Sequence, residues 1–214
     1  MLDYNKNSLA TQVHKELERM VLSGELKRGE IVHESELSNR LGVSRTPIRE
    51  ALKRLEENRL IRTENNTKVV VGITLEDIRD LYLIRLKLEP EAAVSVIDNL
   101  TDDDLAKIKE MVEYQEFCII KNNLEKVKDL DAEFHQFIYA RCGRPMLEET
   151  LRKAYKWTMK YRRASYSNEE RKKETCLEHR AIYNALMNRD KEETRKIVEK
   201  HIKKSLESIT GDRL

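Results

Sequence analysis

The sequence predicts a mainly α-helical protein in two parts: an N-terminal winged helix-turn-helix over residues 1–73 and a C-terminal all-helical bundle over 74–214. Three observations predict it. One short helix closes at Gly42 and another opens at Ser44; two short β-prone stretches flank Asn65-Asn66; and from Thr74 onward apolar residues recur at helical spacing.

In the N-terminal part, Leu9, Val13, Leu17, Met20 and Val21 follow a helical period that ends at Ser23-Gly24. A second helix covers Glu34–Leu41, and Gly42 can take the left-handed conformation that ends it. Ser44 suits the N-cap of a third helix, with Pro47 in its first turn, where a missing N–H costs nothing. On that helix Ile48, Ala51, Leu52 and Leu55 share one face. Arg45, Thr46 and Arg49 are left pointing outward, near a helix N-terminus whose partial positive charge favours phosphate. A basic face on an ordinary helical hairpin would carry the same arginine pair. The following residues favour a recognition helix instead, because L-I-R-T-E-N-N-T-K-V-V-V (Leu60–Val71) reads as a hairpin with Asn65-Asn66 at its tip.

Composition sets the bounds. The chain has 214 residues, enough for two modest cores, and its 37% charged and 6% aromatic content suits a soluble helical protein. Net charge is only +2, so basicity must be local: Arg45–Arg54 holds Arg45, Arg49, Lys53 and Arg54 against Glu50 alone. Cys118, Cys142 and Cys176 are scattered without a C-x-x-C and read as buried thiols. No apolar run reaches membrane-spanning length and no secretory leader is evident, so the expectation is a cytoplasmic protein with no membrane partner.

In the C-terminal part, Leu75, Ile78, Leu81, Ile84 and Leu88 define one stripe ahead of Pro90. Thr101 opens a helix running to about Lys121. Others span about Leu124–Cys142, Met146–Tyr166, Asn168–Asn188 and Lys191–Ile209. The histidines carry the chemical signal. Asp131 and His135, four apart, lie on the apolar stripe Val127, Leu130, Phe134 and Ile138. A buried carboxylate is costly unless paired or bound to a cation, and this pair can present one oxygen and one nitrogen to a single ion. His179 and His201 each lie eleven residues from Asp190 (190 − 179 and 201 − 190), in the turn between the last two helices. That places each roughly 16 Å along its helix from the turn, so the two can face each other in an antiparallel hairpin. Three imidazoles and a carboxylate would suit a first-row transition metal; three satisfied core histidines remain the alternative on sequence grounds.

The stretches L-S-G-E-L-K-R-G-E (Leu22–Glu30) and S-E-L-S-N-R-L-G-V-S-R-T-P-I-R-E-A-L-K-R-L-E (Ser35–Glu56) closely resemble the DNA-binding domain of GntR-type bacterial transcription regulators. The resemblance implies operator contacts at Ser44, Arg45, Thr46 and Arg49 and at the wing tip, Asn66. The chain departs from the family where the wing's glycine is replaced by Asn66 or Lys68, and where an arginine of the preceding helix is replaced by Ser35.

D-x-x-F-H (Asp131–His135), E-H-R-A-I (Glu178–Ile182) and His201 are similar to the metal-binding version of the FCD effector domain of FadR-type members. That resemblance implies Asp131, His135, His179 and His201 as ligands of a divalent transition metal, zinc or nickel. It also implies a small carboxylate effector in the shell of the ion. Arg85, in I-R-L-K-L-E, matches a carboxylate clamp of that domain, and a plain ion pair with Glu89 is the alternative; whether Arg162 or Arg163 helps is not decided by the sequence. Arg144 stands where many members have asparagine, so the effector itself does not carry over. The expected protein is a homodimeric, ligand-responsive regulator, with repression the commoner mode, binding a palindromic operator and a small organic acid. A metal sensor is the nearer alternative and a metalloenzyme using the same ligands the farther one, since no further general base is in place and an enzyme has no need of the Ser44–Leu52 helix.

Overall fold

In a computed structural model, residues 8–165 and 169–211 are described, with the side chains of 160–165 and 169 outside the description. Arg162 and Arg163 therefore lie beyond what can be placed. The chain divides into two compact units between Thr74 and Leu75.

The first unit holds α1 (Leu9–Leu22), β1 (Ile31–Val32), α2 (Glu34–Leu41), α3 (Arg45–Glu57), β2 (Ile61–Glu64) and β3 (Thr67–Val70). Its core gathers Val13, Leu17 and Met20 of α1 against Ile48, Ala51, Leu52 and Leu55 of α3, all 2% exposed or less. Burying such side chains is the main force holding α1 to α3, at about 1.5–3 kcal/mol each. Gly42 ends α2 at φ 65°, the left-handed conformation expected of it. Ser44 does sit at the N-cap of α3, but its hydroxyl makes no capping hydrogen bond and stays exposed, so its value as a cap is smaller than the sequence suggested. Pro47 lies in the first turn of α3 and is buried.

The wing forms about Asn65 and Asn66, both at positive φ (46° and 63°), as a two-residue hairpin of this hand requires. Asparagine tolerates this region, so the missing glycine is not needed. The sheet has a third strand that the sequence reading did not include. β1 pairs antiparallel with β3 (Ile31 with Val69, Val32 with Lys68), giving the order β1-β3-β2. Two residues are too few to show a period, and only the distant partner reveals the strand.

The second unit is helical: α4 (Leu75–Ile97), α5 (Asp102–Ile120), α6 (Leu124–Arg141), α7 (Pro145–Ser165), α8 (Glu169–Met187) and α9 (Lys191–Thr210). Thr101 and Asp104 close a reciprocal capping box at the start of α5. Asn123 and Asp190 cap α6 and α9 through their side chains. Pro145 is the first residue of α7, where proline is favoured. All three cysteines are free and buried.

One expectation for α4 is corrected. The stripe Leu75, Ile78, Leu81, Ile84, Leu88 is not the core face: Leu75 and Ile84 are 37% and 38% exposed. The buried face is Ile78, Tyr82, Arg85, Glu89, Ala92, Ala93 and Val96, rotated from the predicted stripe and carrying an ion pair through its middle. Charged residues defeat a count of apolar periodicity. Here they are inside because each satisfies the other.

Candidate DNA-binding face and metal centre

On α3 the structure leaves Ser44, Arg45, Thr46 and Arg49 exposed on the side opposite the buried Ile48, Ala51, Leu52 and Leu55. Asn66 is exposed at the wing tip. The wing is tied back to α3: Thr63 Oγ1 donates to Glu56 Oε1 at 2.6 Å, and Lys68 Nζ pairs with Glu56 Oε2. Arg49 is held by Glu34 of α2, with Nε donating to Oε1 at 3.1 Å and Nη2 to Oε2 at 2.9 Å.

In the helical unit, His135 of α6, His179 of α8 and His201 of α9 converge. Their ring centroids lie 5.1–5.2 Å apart, and one nitrogen from each falls within 4.8 Å of the others. All three residues are 3% exposed or less. The height argument for the α8–α9 hairpin therefore holds. Asp131, one helical turn before His135, is buried beside them: Oδ1 is 3.6 Å from His179 Nε2, and Oδ2 accepts from Tyr155 Oη at 2.6 Å. The four residues singled out by spacing do meet in one place.

The donor set fits a cation because of what lies behind each ring. His135 Nδ1 faces Glu89 Oε2 at 3.2 Å, His179 Nδ1 faces Gln115 Oε1 at 2.8 Å, and His201 Nδ1 faces Glu178 Oε2 at 2.7 Å. Burial opposes charge on Glu89 and Glu178, but Arg85 and His135 hold the first well below the usual carboxylate range. Hydrogen bonds from His201 and Arg171 hold Glu178 at about 2. Both are ionised acceptors, so the rings against them carry their proton on Nδ1 and turn an Nε2 lone pair inward. His135 and His201 then bring Nε2 atoms within 3.2 Å, and His179 Nε2, fully buried, makes no hydrogen bond. Burial pushes His179 and His201 down from the usual imidazole value, with Asp131 only partly offsetting it for the first and Glu178 for the second. Neutral rings with converging lone pairs are what a borderline metal binds, and donors about 2 Å from one ion stand about 3–4 Å apart.

Arg85 of α4 lies beside this centre, 1% exposed. Nε donates to Glu89 Oε1 at 2.5 Å and Nη1 to Thr158 Oγ1 at 3.3 Å, while the Tyr82 and Tyr155 rings lie 4.9 and 5.0 Å from its guanidinium carbon. The ion pair with Glu89 is therefore present, and Glu89 bridges Arg85 to His135.

Sequence reading did not pair Glu89 or Glu178 with a histidine and missed Gln115 altogether. Gln115 had a visible signal: it is a polar residue, 0% exposed, within the buried series Ile108, Met111, Val112 and Cys118 of α5. Glu178 stands in the E-H-R-A-I motif, but nothing in the spacing showed that it serves His201 on another helix. Phe134 stacks on His179 at 4.1 Å, a contact that apolar spacing alone does not single out.

A winged helix with an exposed basic helix, joined to a helical unit with a buried histidine cluster, defines a DNA-binding transcriptional regulator. Residues 9–71 match the bacterial regulatory proteins of the gntR family and residues 80–204 match the FCD domain. The chain belongs to the GntR family. It is 27% identical to the regulator YdhC of Bacillus subtilis (strain 168) across 92% of this chain and 89% of that one. It is 34% identical to the gluconate operon transcriptional repressor of the same organism, across 63% of this chain and 55% of that protein. The solved structure of E. coli McbR/YncC superposes with a TM-score of 0.68 at 26% identity, covering 94% of this chain and 96% of the other. A regulator family of this kind is not enzymatic, so the metalloenzyme alternative falls.

Proposed function

We propose that this protein is a cytoplasmic, homodimeric repressor whose helical unit, residues 74–214, binds a divalent transition metal and a small organic acid, and whose winged helix, residues 1–73, binds a palindromic operator. One observation carries the metal: three buried Nε2 lone pairs converge because Glu89, Gln115 and Glu178 occupy the opposite nitrogens. Asp131, His135, His179 and His201 would hold the ion, zinc or nickel by donor type. When bound it supplies a positive, Lewis-acidic point that a carboxylate oxygen can ligate.

Arg85 is the second anchor for the acid. Its Nε edge is taken by Glu89, so an incoming carboxylate meets the Nη edge. On the operator, Ser44, Arg45, Thr46 and Arg49 face the major groove and Asn66 the neighbouring backbone or minor groove, each subunit taking one half-site. No described helix is long and apolar enough to cross a membrane.

The test is operator binding measured against a panel of small mono- and dicarboxylates, with metal content determined on the same sample. One acid should shift operator affinity by about 5–150-fold, the usual range of allosteric coupling, in metal-loaded protein and not in His179→Ala. Operator affinity that follows added metal alone, with no acid effective, would make the ion itself the signal. Full metal content in His179→Ala would remove the ligand assignment.

A further inference from the structure

Arg49 is the exposed base-reading candidate on α3, yet its guanidinium is already engaged. Glu34, the first residue of α2, takes the Nε–H and one Nη2–H through its two oxygens, so the pair spans the two helices of the helix-turn-helix. A guanidinium carries five N–H groups in a planar fork. With the side edge taken, one hydrogen of Nη1 and the second of Nη2 remain on the end edge. That edge is itself a two-donor fork, of the shape that reads O6 and N7 of guanine in the major groove. The Arg49 side chain is 71% exposed and Glu34's 32%, so the carboxylate lies behind and the free edge leads.

An ion pair this exposed adds little stability. It also has an electrostatic cost for attachment to DNA. Glu34 brings a negative charge into a region that feels Arg45 and Lys68 as well as Arg49, whose hydrogen bond keeps its carboxyl ionised. A carboxylate there repels phosphates whatever the DNA sequence. Orientation of Arg49 is what it can give in return.

We propose that Glu34 is a specificity-determining residue: it fixes Arg49 as the reader of one guanine in each half-site and weakens attachment to DNA of any other sequence. The inference rests on α3 being the DNA-facing helix. A free arginine can grip a phosphate bidentately with its side edge or reach several bases. A buttressed one presents a single fork in a single direction, with its rotamer entropy already lost before binding. At a site lacking the guanine the fork is unmet and nothing offsets the repulsion of Glu34 from the phosphates, so discrimination comes from both residues.

The test is selection of duplexes from a randomised library by the full-length wild type, Glu34→Gln and Arg49→Ala. Affinities are then measured for the selected duplex, for that duplex with the guanine replaced by adenine, and for an unrelated duplex, at two salt concentrations. Wild type should select one invariant guanine per half-site, and Arg49→Ala should lose that preference. Glu34→Gln should bind the unrelated duplex about 3–10-fold tighter and discriminate guanine from adenine about tenfold less, because a charge that repels phosphate and a support for the fork are both gone. Wild-type discrimination in Glu34→Gln, or equal weakening on all duplexes, would overturn the proposal while leaving α3 as the reading helix. Selection of the same sequence by Arg49→Ala and wild type would overturn both.

Discussion

Replacing Arg85 by leucine should be among the most damaging single changes in the helical unit. Arg85 and Glu89 are 1% and 2% exposed, and the pair is joined by the 2.5 Å contact from Nε to Oε1. Burial by itself works against both charges. Each survives because the other is there, with Glu89 keeping the Arg85 guanidinium raised well above its usual value. Removing one partner of such a pair typically costs about 3–5 kcal/mol, because the other charge stays buried and uncompensated. In Arg85→Leu, Glu89 loses its guanidinium partner and is left with His135 Nδ1 at 3.2 Å and the neighbouring Tyr139 hydroxyl. At a urea slope of roughly 2 kcal/mol/M, a loss of about 4 kcal/mol lowers the unfolding midpoint by about 2 M.

The chain has a single tryptophan, Trp157 on α7, so its emission follows the helical unit alone in the intact protein. The double variant Arg85→Leu/Glu89→Leu should recover most of the loss, leaving about 1–3 kcal/mol for the unsatisfied His135 Nδ1. A single-variant cost below about 1 kcal/mol would refute the reasoning, as would a double-variant cost equal to the sum of the two singles, since the pair would then not be coupled.

Two further outcomes follow from the same structure. Chelation of the purified protein should lower its thermal midpoint, and zinc or nickel should restore it: at 100 times Kd the ion contributes about 2.7 kcal/mol, about 5–11 °C for a chain of this length, whereas an unchanged midpoint would argue against a bound metal. Asp104 should show its worth only above mild acid. The bond from Arg141 Nε at 2.8 Å and those from Thr101 hold its carboxyl below the usual 3.8, so the unfolded chain takes up the proton first on acidification. The stability gap between wild type and Asp104→Asn, about 1 kcal/mol by capping arguments, should be full at pH 7 and close as pH falls through and below 3.8. A gap independent of pH would show that the charge on Asp104 contributes nothing.

What was legible in the sequence was what local rules decide. The turn at Gly42, the first-turn Pro47, the Asn65-Asn66 tip and the Thr101 cap are each set by residues within a few positions of one another. The histidine pair across the α8–α9 hairpin was legible for the same reason, since equal distance from a short turn fixes equal height. What failed depended on distant partners. β1 exists because β3 pairs with it, and the true buried face of α4 is fixed by Glu89 meeting Arg85 on its own helix and His135 on α6. A rule that reads charge as surface places that face on the wrong side of the helix.

If the site binds as proposed, the same distant partners would let it act as a switch. The histidines stand on α6, α8 and α9, and the acceptors behind them on α4, α5 and α8 respectively. Each inward Nε2 is aimed by a hydrogen bond that crosses from one helix to another. Sliding any of these helices by an ångström would misalign a ring, and holding the rings together would resist the slide. Glu89 adds a direct link, because one carboxylate holds both Arg85, where an acid would bind, and His135, where an ion would. In the proposed site, an acid that draws Arg85 away would loosen its hold on Glu89 and so disturb His135, coupling acid to metal. By linkage, each then changes the other's affinity by the same factor. Metal affinity measured with and without the effective acid should move by the same fold as acid affinity measured with and without the metal, and Glu89→Gln, which keeps an acceptor for His135 but loses the charge that holds Arg85, should reduce that factor toward one.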